Sequence, residues 1–464
     1  MLAGCSTLSA PHEREPDITI HISPTDDAAL KIGVAVSGSE SGTTRFTTNG
    51  SFGGTDVAAH WFRDFAVECA SPCSSEIEAG EPAVTVSGSA GASLRLSYTL
   101  QNSEPLTDVD DYQPSTSAQS LHLFSPLTLL LPEELSTRDI VRIRIIWDGD
   151  TAIFGPFGVI NGASEGILRG DELTNLLLSA GDDAAMLELG GSSFGAISFA
   201  PDLITADAVL ARISPIVAEA SQVFPESDDA WYFVTVQNAG PEIENGFALG
   251  GTAVRSAFAL YASPSFDFEN FAYVFDGIVA HEYFHNWNGV LFFVSGDEEH
   301  GARWFVEGFT DFYTRRLAHR AGVWTREQAQ EHLNGQLSSF LDSPFQNAPL
   351  ADIIELWETG SEQSDISYKR GDLIALAVDE EVRRASMGMR NLDDLMRHLA
   401  SMARDDREPN VEDIFAWIES ETSPTFASRI QRIVEDGGLI PLPAHVSEID
   451  LQLSENGETY ALID

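Results

Sequence analysis

The chain has 464 residues, 43% of them hydrophobic, and 72 acidic against 26 basic side chains give it a formal net charge of −46. That length suits two or three domains, and an apolar share of this size excludes intrinsic disorder, which couples high charge to poor hydrophobic content. No run reaches the roughly 18 apolar residues of a membrane-spanning helix, and a surface this anionic repels phosphate backbones, which excludes general nucleic-acid binding. Lys31 and Lys369 are the only lysines, every other base being arginine. Such a surface stays hydrated where salt screens its self-repulsion. It fits a saline habitat, and fits equally well compositional drift in a GC-rich genome.

The chain opens Met1-Leu2-Ala3-Gly4-Cys5. Leu-Ala-Gly-Cys resembles the lipobox of bacterial lipoproteins, with the charged and apolar parts of a signal peptide missing ahead of it. Residues 1–16 are expected to be a lipobox remnant and a polar tether, with Cys5 acylated and that lipid the only contact with a membrane. Cys69 and Cys73, in Cys-Ala-Ser-Pro-Cys, then read as a local disulfide outside the cytoplasm. Terminus and cysteines together predict export to the bacterial cell envelope, as a periplasmic or outer-membrane lipoprotein.

Residues 17–165 read as strands and turns. Thr19–Ile22, Ser93–Tyr98 and Ile140–Ile145 alternate or are β-branched, with Gly, Ser and Asp between them. This predicts a β-sandwich or saddle-like domain with no catalytic grouping. Residues 166–437 form a second domain: a helix over Ala206–Val223 despite Pro215, strands at Trp231–Val236 and Ala253–Tyr261, then mostly helix from Phe268 to Glu435. Residues 438–464 read as an extension of loop with one short strand.

The chemistry starts at His281-Glu282-Tyr283-Phe284-His285, inside an apolar helical pattern from about Phe271 to Trp287. Histidines at i and i+4 leave one helix face together, close enough to share a single zinc ion. Glu282, one position on, lies where it takes a proton from a water at the metal. Catalytic zinc needs a third protein ligand and an open fourth position, and Glu307 in Trp304-Phe305-Val306-Glu307-Gly308 offers the ligand. Asp311, four residues later on the same face, either accepts the second N–H of a ligand histidine or is a solvated helix acid.

His281 to Asn288, followed by Trp304 to Phe312 with Tyr313, resembles the glycyl aminopeptidase family of gluzincin zinc metallopeptidases. The resemblance continues through Arg315–Gly322, Ser367–Gly371, Ala375–Arg383 and Leu392–Arg397, and spans roughly residues 200 to 435. It implies a thermolysin-like, mostly helical peptidase domain, so the chain as a whole is expected to be α+β, the β-domain first. It also implies a role for Tyr368: related enzymes carry Tyr-x-Lys-Gly, whose tyrosine donates to the developing oxyanion. Here Arg370 replaces the lysine and Gly371 is kept.

Three departures from the family stand out. Family members carry Gly-Gly-Leu-Glu-His on the substrate strand, its glutamate holding the substrate's free amine. Here the stretch is Gly250-Gly251-Thr252-Ala253-Val254, without that acid unless Glu242 or Glu244 substitutes. The basic segment after Trp-Asn is replaced by Gly289-Val290-Leu291-Phe292-Phe293, and the usual C-terminal PDZ domain is not expected. The function expected is that of a one-zinc metallopeptidase acting on peptides or proteins, aminopeptidase-like, with Glu282 assisting the attack of a zinc-activated water. Two alternatives stand beside it: an endopeptidase of the same chemistry, and a non-catalytic peptide-binding envelope lipoprotein on a peptidase fold. Nothing in the sequence signals an oligomeric state.

Overall fold

The computed structural model describes residues 16–78, 80–88, 90–117, 120–138, 140–189, 191–225, 231–292, 294, 300–405 and 407–463. Cys5 and nearly all of the 1–16 tether lie outside the described residues. Two compact units, Met1–Asp182 and Asp183–Asp464, divide the chain. No helix among the described residues is long and apolar enough to cross a membrane.

The first unit is built from sheets. In the largest, six strands run in the order Ala163–Leu168, Val141–Trp147, Ile18–Pro24, Leu30–Ser37, Ser93–Leu100 and Phe62–Cys69. Ile18–Pro24 lies parallel to Val141–Trp147 and antiparallel to Leu30–Ser37. Successive side chains leave opposite faces of a strand, so the alternation seen in the sequence becomes an apolar face. Ile18, Ile20, Ile22, Val34, Leu96 and Ile145 are all fully buried on it. Each contributes on the order of 1.5–3 kcal/mol by leaving water. A four-stranded, a five-stranded and a two-stranded sheet complete the unit among the described residues. Cys69 and Cys73 are disulfide-bonded across the turn from the six-stranded sheet to the Ser74–Ile77 edge of the four-stranded one.

The unit extends beyond residue 165, where the sequence suggested its end. Leu177–Ala180 pairs antiparallel with Leu121–Phe124 and belongs to the five-stranded sheet, so the division falls at Asp182. A strand of four fully buried residues has no alternation to mark it.

The second unit opens with a five-stranded sheet in the order Asp183–Leu189, Ser192–Ser198, Trp231–Asn238, Ala257–Ala262, Leu249–Val254. The helix Ala206–Val223 makes the crossover between two parallel strands. Thr205 caps it, and Ser214 Oγ donates to the Ala211 carbonyl that Pro215 leaves without an N–H partner. The stretch Ala253–Tyr261, expected as one strand, is a hairpin: Leu249–Val254 turns back through Arg255 and Ser256 into Ala257–Ala262. Ser256 makes the reversal at φ 57°, a conformation that its residue type does not advertise.

Three of the helices that follow carry the site: a histidine helix (Phe268–Phe284), a glutamate helix (Arg303–Arg320) and a tyrosine helix (Ile366–Ala385). The glutamate helix is buried from Trp304 to Ala318. It crosses the tyrosine helix at Gly308 and Gly371, where a Cβ on Gly371 would stand 1.9 Å from the Trp304 carbonyl oxygen. Its arginines face the acids of the tyrosine helix, Arg315 bidentate to Asp372 at 2.8 Å and Arg316 to Asp379 at 2.9 Å. Residues after 437, expected as an extension with one strand, carry three short paired strands and belong to this unit. Glu448 reaches Arg316 at 3.1 Å, and the Tyr460 carbonyl accepts from Gln330 and Asn334. Two- and three-residue strands are too short to show a period.

Candidate active site

The histidine helix starts at Asp267, whose carboxylate caps Asn270 N–H, and carries the His-Glu-x-x-His pattern in its last turn. His281 and His285 leave the same face, and the glutamate helix brings Glu307 up to them. His281 Nε2 and His285 Nε2 stand 3.1 Å apart, and Glu307 Oε2 lies 3.6 Å from the first and 3.4 Å from the second.

The remaining atoms of these groups are all engaged. His281 Nδ1 donates to Asp311 Oδ1 at 2.9 Å, and Gln336 Nε2 fixes the other Asp311 oxygen at 2.6 Å. His285 Nδ1 donates to the Asn288 carbonyl at 2.8 Å. The Asn288 amide is fully buried and donates to the Phe305 and Val306 carbonyls and to Thr310 Oγ1, tying the turn after the histidines to the glutamate helix. Arg303 Nη1 holds Glu307 Oε1 at 2.7 Å. With each Nδ1 committed to an acceptor, both imidazoles turn their Nε2 to the common point, and Glu307 presents one oxygen.

The electrostatics ask for a positive centre at that point. Burial, the largest effect on His281, would lower its pKa, yet Asp311 and Glu307 prevail and hold it well above the usual histidine range. Burial would likewise raise Glu307, and the two histidines hold it well below the carboxylate range. Two imidazole nitrogens and one carboxylate oxygen, braced from behind, match the donor set of a zinc site with one position left for water or substrate.

Tyr368, in the first turn of the tyrosine helix, stacks on the His281 ring at 6.1 Å. Its phenol is pushed far up, by burial first and then by Glu307, so the O–H stays protonated and able to donate. Arg370, in the lysine position of the expected motif, does not join the cluster. It is buried and donates to the Ala348 and Val434 carbonyls, and burial pushes its guanidinium down to about 10.

Gly250, Gly251 and Thr252 lie on the edge strand Leu249–Val254, paired with Tyr261, Leu260 and Ala259, and this strand packs against the histidine helix. No acid stands on it, and Glu242 and Glu244 are exposed in the loop before it. Sequence reasoning missed three supports: Asn288, Arg303 and Gln336. Asn288 was inside the quoted motif, and the four-residue spacing of Arg303 and Glu307 is a readable helix pair. Gln336 carries no local signal.

Residues 274–370 match the model of the M61 glycyl aminopeptidase family, a stretch that holds all three ligand candidates, Glu282, Asp311 and Tyr368. The resemblance seen in the motifs is therefore borne out. No curated protein matches the chain in sequence. Among solved structures, an aminopeptidase N family protein from Idiomarina loihiensis is 14% identical, covers 91% of this chain and 76% of its own, and superposes with a TM-score of 0.71. The M1 zinc metallopeptidase from Deinococcus radiodurans is 14% identical over 92% of this chain and 94% of its own, with a TM-score of 0.55. Yeast LTA4 hydrolase in complex with bestatin is 11% identical over 92% and 68%, with a TM-score of 0.52. At these identities the likeness is one of fold, and the α+β layout read from the sequence, sheet-rich first and helical after, is the layout they share.

Proposed function

We propose that the chain is a zinc-dependent metallopeptidase, aminopeptidase-like in architecture, that hydrolyses peptide bonds in peptides or proteins. The reading rests on one observation: His281 Nε2, His285 Nε2 and Glu307 Oε2 converge on one point, next to Glu282 in sequence. When bound there, one zinc ion supplies positive charge that acidifies water and polarises a carbonyl oxygen. Glu282 accepts the proton of the attacking water and delivers it to the leaving amine. Tyr368 donates its O–H to the oxygen on which negative charge develops. Asp311 and the Asn288 carbonyl keep the ligand imidazoles in one tautomer and one orientation.

The edge strand Leu249–Val254 is the element along which an extended substrate would lie. It lacks the carboxylate that would hold a free amine, and this favours an endopeptidase as the second reading. Export to the cell envelope, anchored through Cys5, is part of the same proposal and is supported by the Cys69–Cys73 disulfide.

The test is metal analysis of the purified protein together with cleavage of peptides whose amino termini are free or acetylated, with and without a chelator. Chelator-sensitive cleavage supports the enzyme, and preference for the free terminus separates the exopeptidase from the endopeptidase. Glu282→Gln should keep zinc and lose turnover. An active Glu282→Gln enzyme would overturn the assignment, and bound zinc without cleavage would leave a binding protein.

A further inference from the structure

The Tyr368 ring is held by packing. Among the described residues no hydrogen bond restrains its hydroxyl, so the direction in which it donates depends on what lies against the ring. His281 is one such neighbour, and Lys369 Nζ, tied to Asp365 at 3.2 Å, lies 5.7 Å over the ring. Trp357, in the last turn of the short helix Leu350–Glu358, stacks on the phenol at 6.2 Å with 28° between the planes. Its Nε1–H donates at 2.9 Å to Oγ of Ser367, the buried residue just before Tyr368. The indole therefore holds the tyrosine twice, by its ring and by the helix turn that carries it.

The same indole reaches the ligand side of the site. The Arg303 guanidinium lies over it, 5.1 Å from the ring centre, while Nη1 of that arginine grips Glu307 Oε1 at 2.7 Å. The arginine side chain is 35% exposed, and its long stem leaves it several other poses. A planar cation over an aromatic face, within about 6 Å of its centre, is attracted to it, and that favours one pose. Glu307, Arg303, Trp357, Tyr368 and His281 thus form a closed circuit, because Glu307 and His281 meet again at 3.6 Å.

A reacting group misplaced by about 1 Å costs about 10²-fold in rate, so whatever fixes a donor governs what the donor is worth. We propose that Trp357 is a positioning residue of the site: through Arg303 it fixes the carboxylate of Glu307, and through its stack it aims the Tyr368 phenol at the oxygen on which charge develops. In that role it contacts no reacting atom and acts only through its two partners. The inference rests on the zinc peptidase reading given above and adds to it the side chain that keeps ligand and donor in register.

Two mutant cycles test the proposal, one of them without turnover. Zinc affinity is measured by competition with a chromophoric chelator for the parent, Trp357→Leu, Arg303→Leu and the double variant. Each single change should weaken zinc by up to about tenfold, the low end for partners behind a metal ligand. The double variant should be no weaker than Arg303→Leu, because the indole acts through that arginine. On peptides, Trp357→Leu should lower kcat by about tenfold or more with KM unchanged, and should have no further effect once Tyr368→Phe has removed the hydroxyl. Trp357→Phe keeps a stacked ring and drops only the N–H, so it should recover most of both losses, which a damaged fold would not allow. Losses that multiply in either cycle overturn the proposal. A raised KM with kcat intact also overturns it, making the indole a substrate contact. If no peptide is cleaved in a chelator-sensitive way, the peptidase reading falls and the Tyr368 arm with it, while the zinc cycle still decides the Arg303 arm.

Discussion

Asp311 separates geometry from charge at the cluster of His281, His285 and Glu307. It is 8% exposed, accepts from His281 Nδ1 at 2.9 Å, and is itself held by Gln336 at 2.6 Å. Asp311→Ala removes both acceptors, leaves an imidazole N–H buried without a partner and frees the ring to turn. Partners behind a ligand histidine are worth about 10–100-fold in metal affinity. At 1.4 kcal/mol per tenfold, this corresponds to about 1.4–2.8 kcal/mol. Asp311→Asn keeps an oxygen toward His281 and presents its NH2 to Gln336, whose amide turns over to offer its own oxygen. That variant loses the negative charge and retains the geometry, so it should sit near the tenfold end, with alanine near the hundredfold end. Zinc affinity measured by competition with a chromophoric chelator gives the order directly, and thermal unfolding in chelator checks that each apo protein is folded. An alanine variant that binds zinc as tightly as the parent, or an asparagine variant weaker than alanine, would refute the reasoning.

Tyr368→Phe retains the ring on His281 and removes only the donor, so zinc content should hold while kcat falls about 10²–10³-fold; unchanged kcat would exclude the phenol from the reaction. Gly371→Ala forces a methyl to within 1.9 Å of the Trp304 carbonyl, and overpacking of this kind costs about 1–3 kcal/mol or more. Unfolding midpoint and turnover should drop together, and an unshifted midpoint would show that the crossing relaxes freely. Asp379 and Asp393 are both held below the ordinary 3.8, burial that would raise them being outweighed by Arg316 together with Arg383 at Asp379 and Arg320 at Asp393. Because their folded values are depressed, their stabilisation is complete above pH ~4 and is lost as pH falls through those values. Denaturant midpoints should therefore fall steeply only below about pH 4, and Asp379→Asn should lower the neutral plateau and flatten the acid limb. A parent midpoint that declines steadily from pH 7 would contradict this.

The ligand set was legible because helix periodicity alone puts His281 and His285 on one face, and because Glu307 sits in a distinctive aromatic-and-glycine setting. The crossing at Gly308 and Gly371 was present in the motifs as two glycines, but their contact is a property of two helices far apart in sequence. Residues separated along the chain and joined only by packing stayed invisible. Gln336 is one, and Trp357, where Arg303 and Tyr368 meet, is another. The hairpin through Ser256 was misread because a serine at positive φ looks like any strand residue. The end of the first unit was misplaced because Leu177–Ala180 is buried on both faces and shows no period.

The arginines of the glutamate helix also bear on when the molecule becomes complete. Arg316 lies inside the fold, and Arg320 and Arg383 lie beside it; all three reach Glu448, which the chain supplies only after every helix has been made. Gln330 and Asn334 likewise wait for the backbone at Tyr460. A chain made only as far as residue 437 carries all the ligand candidates and Tyr368, yet its Arg316 has Asp379 and Asp393 alone, one carboxylate short of the finished cluster. The arginine cluster of the second unit is therefore complete only once residues 445–462 have paired with it.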